Sequence, residues 1–139
     1  KVKAVLENDM IPILCVGETE EERKEGQTEE RIGSEIRTAL FALSKEETAK
    51  MVIAYEPIWA IGSGQAATPK DAEEIASFIR KTVKEAAGKK AADEVRILYG
   101  GSVNGDNISY FLKQKNIDGA LIGGASLKPD TMIDIYNKA

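Results

Sequence analysis

The feature that most constrains this chain is the rhythm of its apolar runs. Four short runs, Ile11–Val16, Met51–Tyr55, Val95–Tyr99 and Ala120–Ile122, are apolar at nearly every residue rather than at every second one. A strand exposed on one face alternates in polarity, whereas a strand covered on both faces does not, so these runs predict buried strands of a parallel sheet. Between them lie segments of helical period. Ile32, Ile36, Leu40 and Leu43 recur at four- and three-residue steps, as do Ala72, Ile75, Ala76, Ile79 and Val83. Each set forms one apolar stripe with charged residues opposite. The second helix has a well-marked start: Thr68 as N-cap, Pro69 at the first helical position and Asp71 placed to close a capping box. Gly88 is placed to end it. Shorter helices are predicted at Asn107–Lys115 and Pro129–Asn137, and Lys1–Asn8 reads as the tail of a helix.

Strands alternating with helices imply right-handed crossovers and a parallel α/β sheet. No low-complexity or linker-like segment divides the 139 residues, so they are read as one structural unit. Each strand is followed by unusual residues: Gly17-Glu18, Glu56-Pro57, Gly100-Gly101-Ser102 and Gly123-Gly124. Any one pair could be a simple strand-ending turn. Four in succession match the active face of an α/β protein, where polar and glycine residues collect at the strand C-termini.

Composition removes several functions. There is no histidine, so imidazole-based acid–base, nucleophilic and metal chemistry has no residue in these 139 positions. The net charge is −4 and the longest run of mostly like charge, Glu18 to Glu30, is acidic. Without a basic stripe, nucleic acid is not an expected partner. A phosphate can still be held by backbone N–H groups. Apolar stretches such as Ile11–Val16 fall far short of the roughly 20 residues a membrane span needs. Lys1-Val2-Lys3 leads into an amphipathic rather than an apolar segment, which reads as no signal peptide. With a single cysteine, Cys15, no internal disulfide is available, and a reducing cytoplasm is the expected setting.

The chemistry centres on Ala54-Tyr55-Glu56-Pro57-Ile58-Trp59-Ala60-Ile61-Gly62-Ser63-Gly64. Glu56 closes an apolar strand, and the proline after it keeps its backbone extended. A carboxylate among apolar neighbours is poorly solvated, which strengthens it as a base. By position alone it could equally be a strand-end glutamate in an ion pair. The loop that follows sets Ile58, Trp59 and Ile61 beside Gly62, Ser63 and Gly64. Apolar residues for an underside and glycines for pivots suit a lid. A rigid loop packed on its neighbours is the other reading.

This stretch closely resembles the signature of the triosephosphate isomerases, a tyrosine–glutamate–proline run, a tryptophan-containing hinge and an alanine–isoleucine–glycine loop tip. Cys15-Val16-Gly17-Glu18-Thr19, Tyr99-Gly100-Gly101-Ser102-Val103, and Asp118-Gly119 through Ile122-Gly123-Gly124-Ala125-Ser126-Leu127 agree in order and spacing, so the resemblance covers the whole chain. That family is an eight-stranded barrel of about 250 residues with its site at the strand C-termini. The resemblance implies half of a TIM (β/α)8 barrel: its fifth to eighth strand–helix units, preceded by part of the fourth helix. The family is itself a standard worked example of a glutamate base, a neutral histidine electrophile and a loop that excludes water. Glu56 matches the base. Ser102, Gly123 and Gly124 match the phosphate grip, joined by Gly62 from the loop. The implied substrate is a small triose phosphate, with no metal and no organic cofactor. The implied pathway setting is glycolysis and gluconeogenesis, and the whole enzyme is expected to be a homodimer.

The resemblance places Glu18 and Cys15 near the site. Glu18 is read as a supporting carboxylate at least as readily as a catalytic one, and Cys15 as a small buried residue. Nothing in these residues matches the family's electrophilic histidine or its asparagine-x-lysine pair. The 139 residues alone are therefore expected to have little or no turnover, and either to self-associate or to pair with the missing N-terminal half.

Overall fold

The structure is a computed structural model that describes residues 1–61 and 66–139. In chain order the elements are α1 (Val2–Leu6), β1 (Ile13–Val16), α2 (Glu20–Lys24), α3 (Thr28–Leu40), α4 (Lys45–Ala49), β2 (Val52–Tyr55), α5 (Pro69–Ala87), α6 (Lys89–Glu94), β3 (Arg96–Tyr99), α7 (Ile108–Leu112), β4 (Gly119–Ala120) and α8 (Pro129–Lys138). The four strands form one sheet in the order β1-β2-β3-β4, every pair parallel. This is half of an α/β barrel.

Register explains both the core and the site. Ile53 and Ile97 pair in one layer, and Val16, Tyr55, Tyr99 and Ala120 align in another. Val16, Ile53, Tyr55, Ile97 and Tyr99 are buried. Against this face pack the predicted stripes of α3 (Ile32, Ile36, Leu40) and α5 (Ala72, Ile75, Ala76, Ile79, Val83), with Ile108 and Phe111 of α7. Tyr99 and Phe111 stack at 4.1 Å between ring centroids. The intervening layers face the other way. Ile13 is 50% exposed, and Cys15 is exposed.

Two sequence expectations change here. The apolar runs predicted strands covered on both faces, but helices cover one face only. The other is the inner wall of the half-barrel, where Ile13 and Cys15 are exposed. Cys15 was expected to be buried; it lies on that inner wall and is exposed. Element ends also differ. β1 starts at Ile13 rather than Ile11, because Pro12 contributes only its carbonyl, which accepts from Val52 N at 3.0 Å. β4 covers Gly119–Ala120, and the Leu121 N–H still donates to Tyr99 O at 2.9 Å before the chain turns.

α5 begins as its sequence predicts. Thr68 accepts from Asp71 N and Asp71 reaches back to Thr68 N, with Pro69 in the first turn and Gly88 at the end with φ 91°. A charged tie then locks α5 to β3 and the start of β4. Arg80 donates to Ala92 O (2.6 Å), Val95 O (3.1 Å), Asn116 Oδ1 (3.1 Å) and Asp118 Oδ2 (2.8 Å). Asp118 Oδ2 also accepts from Ile97 N at 2.8 Å. Among the described residues no helix is long and apolar enough to cross a membrane.

Candidate active site

The strand ends fix the site. Because Val16, Tyr55 and Tyr99 are in register, Gly17, Glu56 and Gly100 are neighbours one step beyond. Glu56 N donates to Val16 O at 2.8 Å, continuing the ladder up to the carboxylate residue. The two flanking glycines are required by contact. A Cβ on Gly17 would overlap the Glu56 carbonyl, and one on Gly100 would lie 2.6 Å from Glu56 Cγ. Any side chain at either position would displace the glutamate. Glu56 is half-buried and neighbours the Cys15 thiol. Local desolvation of that thiol, together with the nearby Glu56 carboxylate, pushes it up from 9.0 to about 11.

Glu56 opens into a cleft of about 490 Å³ lined by Ile61, Gly100 to Asn104, Leu121, Gly123, Gly124 and Ala125. Ser102, Gly123 and Gly124 therefore share one cavity with Glu56. A Cβ at Gly123 or Gly124 would meet nothing within 4 Å. Packing within the described chain does not demand glycine there, and the bare backbone leaves room for a ligand to approach. Ser126 Oγ and N both bond Gly123 O, at 2.8 and 2.9 Å, and hold the turn. Among the described lining residues Glu56 is the only ionisable group and none is a cation. Such a wall can hold an anion through backbone N–H donors, while a carboxylate faces the rest of the bound molecule. Gly62 lies outside the described residues, as do Ser63 and Gly64 of the expected lid.

Ser102 has a partner that the sequence does not announce. Its Oγ donates to Ala60 O at 3.0 Å, and Asn107 Nδ2 holds its carbonyl at 3.1 Å. It thus ties the wall of the cleft to the 3₁₀ turn Ile58–Ala60 that follows Glu56. At the far end of that connection, Ala67 N donates to Tyr99 Oη at 3.0 Å. Glu18, by contrast, does not line the cleft. It is fully buried and accepts from Tyr55 Oη (3.1 Å) and Trp59 Nε1 (2.9 Å). Burial, with the adjacent Glu18 carboxylate, drives the Tyr55 phenol well above its usual range, so it remains a donor. Of the residues named from the sequence, Glu56, Ser102, Gly123 and Gly124 share the cleft, whereas Tyr55 and Tyr99 were not recognised as clamps. The available signal was a tyrosine immediately before both Glu56-Pro57 and Gly100-Gly101.

Among the described residues no three His, Cys, Asp or Glu side chains are grouped to hold a metal ion.

Comparison with known proteins agrees with this arrangement. The triosephosphate isomerase family model matches residues 1–139. The triosephosphate isomerase of Dictyoglomus turgidum is 52% identical over 135 residues, covering 97% of this chain and 54% of that protein. Those of a Roseiflexus species and of Clostridium tetani are each 50% identical over 137 residues, covering 99% of this chain and 54% of theirs. The chain spans about half the length of the curated relatives it matches. On its sequence match, its parallel half-barrel and its strand-end glutamate and glycines, the chain belongs to the triosephosphate isomerase family.

Proposed function

We propose that these residues supply the base and the phosphate grip of a triosephosphate isomerase, as the C-terminal (β/α)4 half of its barrel. The reaction interconverts glycerone phosphate and D-glyceraldehyde 3-phosphate. Glu56 removes a proton from one carbon and returns it to the adjacent one through an enediol(ate). Ser102, Gly123 and Gly124 hold the phosphate, with Gly62 added on sequence grounds alone. The observation that carries this reading is the shared cleft: one carboxylate faces an uncrowded, glycine-rich backbone wall with no cation among its described lining residues. The phosphate then supplies the anchoring energy and the carboxylate the chemistry, while exclusion of water protects the intermediate.

The chain has no histidine to polarise the carbonyl. Losing one oxyanion donor typically costs ~10²–10³ in turnover, so the 139 residues alone are proposed to be inactive. The partner is the N-terminal half of the barrel, the whole acting as a cytoplasmic homodimer in glycolysis and gluconeogenesis. A second reading, self-association of the half-barrel, is favoured by the half-exposed Ile13 and exposed Ile11 beside β1.

Complementation tests the proposal. Mixing the chain with the first half of a matched relative should restore isomerisation, and Glu56→Gln should abolish it. A stable, folded mixed assembly with no turnover would overturn it.

A further inference from the structure

Arg23, on α2, touches both ends of the connection between β2 and α5. Its guanidinium carbon lies 4.6 Å from the centroid of the Trp59 ring, in the turn that leaves Glu56. Its Nη2 lies 3.5 Å from Asp71 Oδ2, whose carboxylate closes the capping box at the start of α5. Its Nη1 lies 3.5 Å from Glu18 Oε1, the oxygen that also receives the Trp59 indole N–H. Glu18 is fully buried, and its Oε2 has no partner among the described residues. Arg23 is the only described cation on that carboxylate. The indole is therefore gripped on its N–H edge by Glu18 and on its face by Arg23, and Arg23 is held in turn by the first turn of α5.

We infer that Arg23 is a positioning residue, joining the Trp59 turn to the start of α5 so that the two ends of the β2–α5 connection move as one unit. A planar fork is required for this. It stacks on an indole and presents separate N–H groups to two carboxylates, which one ammonium cannot do at the same time. The consequence reaches the cleft through Ile61, the residue after the Trp59 turn and part of the cleft wall. If Arg23 only neutralised Glu18, Asp71 would have no influence on Trp59, which it does not touch directly.

That difference supplies the test. Trp59 is the only tryptophan, so its indole N–H gives one unambiguous resonance. Asp71→Asn should shift that resonance in the parent chain but leave it in place in an Arg23→Lys background. Arg23→Lys alone should shift the amides of both the Trp59 turn and residues 68–71. An indole indifferent to Asp71→Asn in the folded parent, or shifts confined to α2 in Arg23→Lys, would overturn the inference. A kinetic arm rests on the isomerase reading. In the complemented enzyme Arg23→Lys should lower kcat and change KM together, by up to about a hundredfold in kcat/KM. An active parent with an unaffected Arg23→Lys variant overturns the positioning role. A parent without turnover counts against the isomerase reading, and the indole shifts then decide the positioning role alone.

Discussion

Glu56 is held in place as much by what its neighbours lack as by what they have. Gly100 lies under its Cγ and Gly17 beside its carbonyl, so both act by leaving space. Gly100→Ala should therefore force Glu56 aside, destabilising the fold by about 1–3 kcal/mol and lowering turnover of the complemented enzyme more than its affinity for substrate. Denaturant titration and steady-state kinetics check the two effects separately. The pairing with Cys15 gives a second prediction. Its thiol is raised to about 11, so it is protonated and weakly nucleophilic at neutral pH. Glu56→Gln removes a charge that opposes thiolate formation, so alkylation of Cys15 should speed up and its pH midpoint fall. The sign for stability follows. The folded state favours the thiol, so this contribution is complete below 9.0, the ordinary value, and is lost as pH rises towards about 11. Glu56 and the glycines were legible because their residue types and spacing are unusual. The tyrosine clamps were not, because a tyrosine that ends a strand looks like core until the partner of its hydroxyl is known.

Among the elements, the long helices α3 and α5 were legible, as were α1, α7 and α8, whereas α2, α4 and α6 were not. α3 and α5 each carry a full apolar stripe, and α5 adds a capping box at Thr68 and Asp71. α2, α4 and α6 span five or six residues each and bury little, so no periodic stripe could mark them. The first two begin instead with capping boxes at Thr19/Glu22 and Ser44/Glu47, a local signal available in the sequence. Thr68→Ala should cost about 1 kcal/mol, read as a fall in thermal midpoint, because it leaves an N–H of the first turn of α5 unpaired. Arg80→Met is a stronger lesion. It removes a guanidinium that serves the backbone carbonyls of Ala92, Val95 and Asn116, the Asn116 side-chain oxygen and the Asp118 carboxylate, and leaves those acceptors without their charged donor. A loss of about 2–3 kcal/mol is expected by urea unfolding.

At the scale of the whole molecule, the parallel sheet was implicit in the alternation of apolar runs and amphipathic helices. What the runs could not reveal is which strands lie beyond β1 and β4. Their apolar character on both faces suits a closed barrel, yet one face here carries exposed Ile13 and Cys15. That mismatch between pattern and burial is what supports the proposed pairing with a second half; the chain spans about half the length of the relatives it matches. In the proposed function one carboxylate, Glu56, carries a proton between adjacent carbons of a triose phosphate held at residues 102 and 123–124. The most direct measurement is isotope incorporation by the complemented enzyme in deuterated water. Deuterium entering the carbon skeleton of the product in the parent, with both incorporation and isomerisation lost in Glu56→Gln, is the predicted result. Undiminished isomerisation in Glu56→Gln, or isomerisation in which the migrating hydrogen never exchanges with solvent, would contradict it.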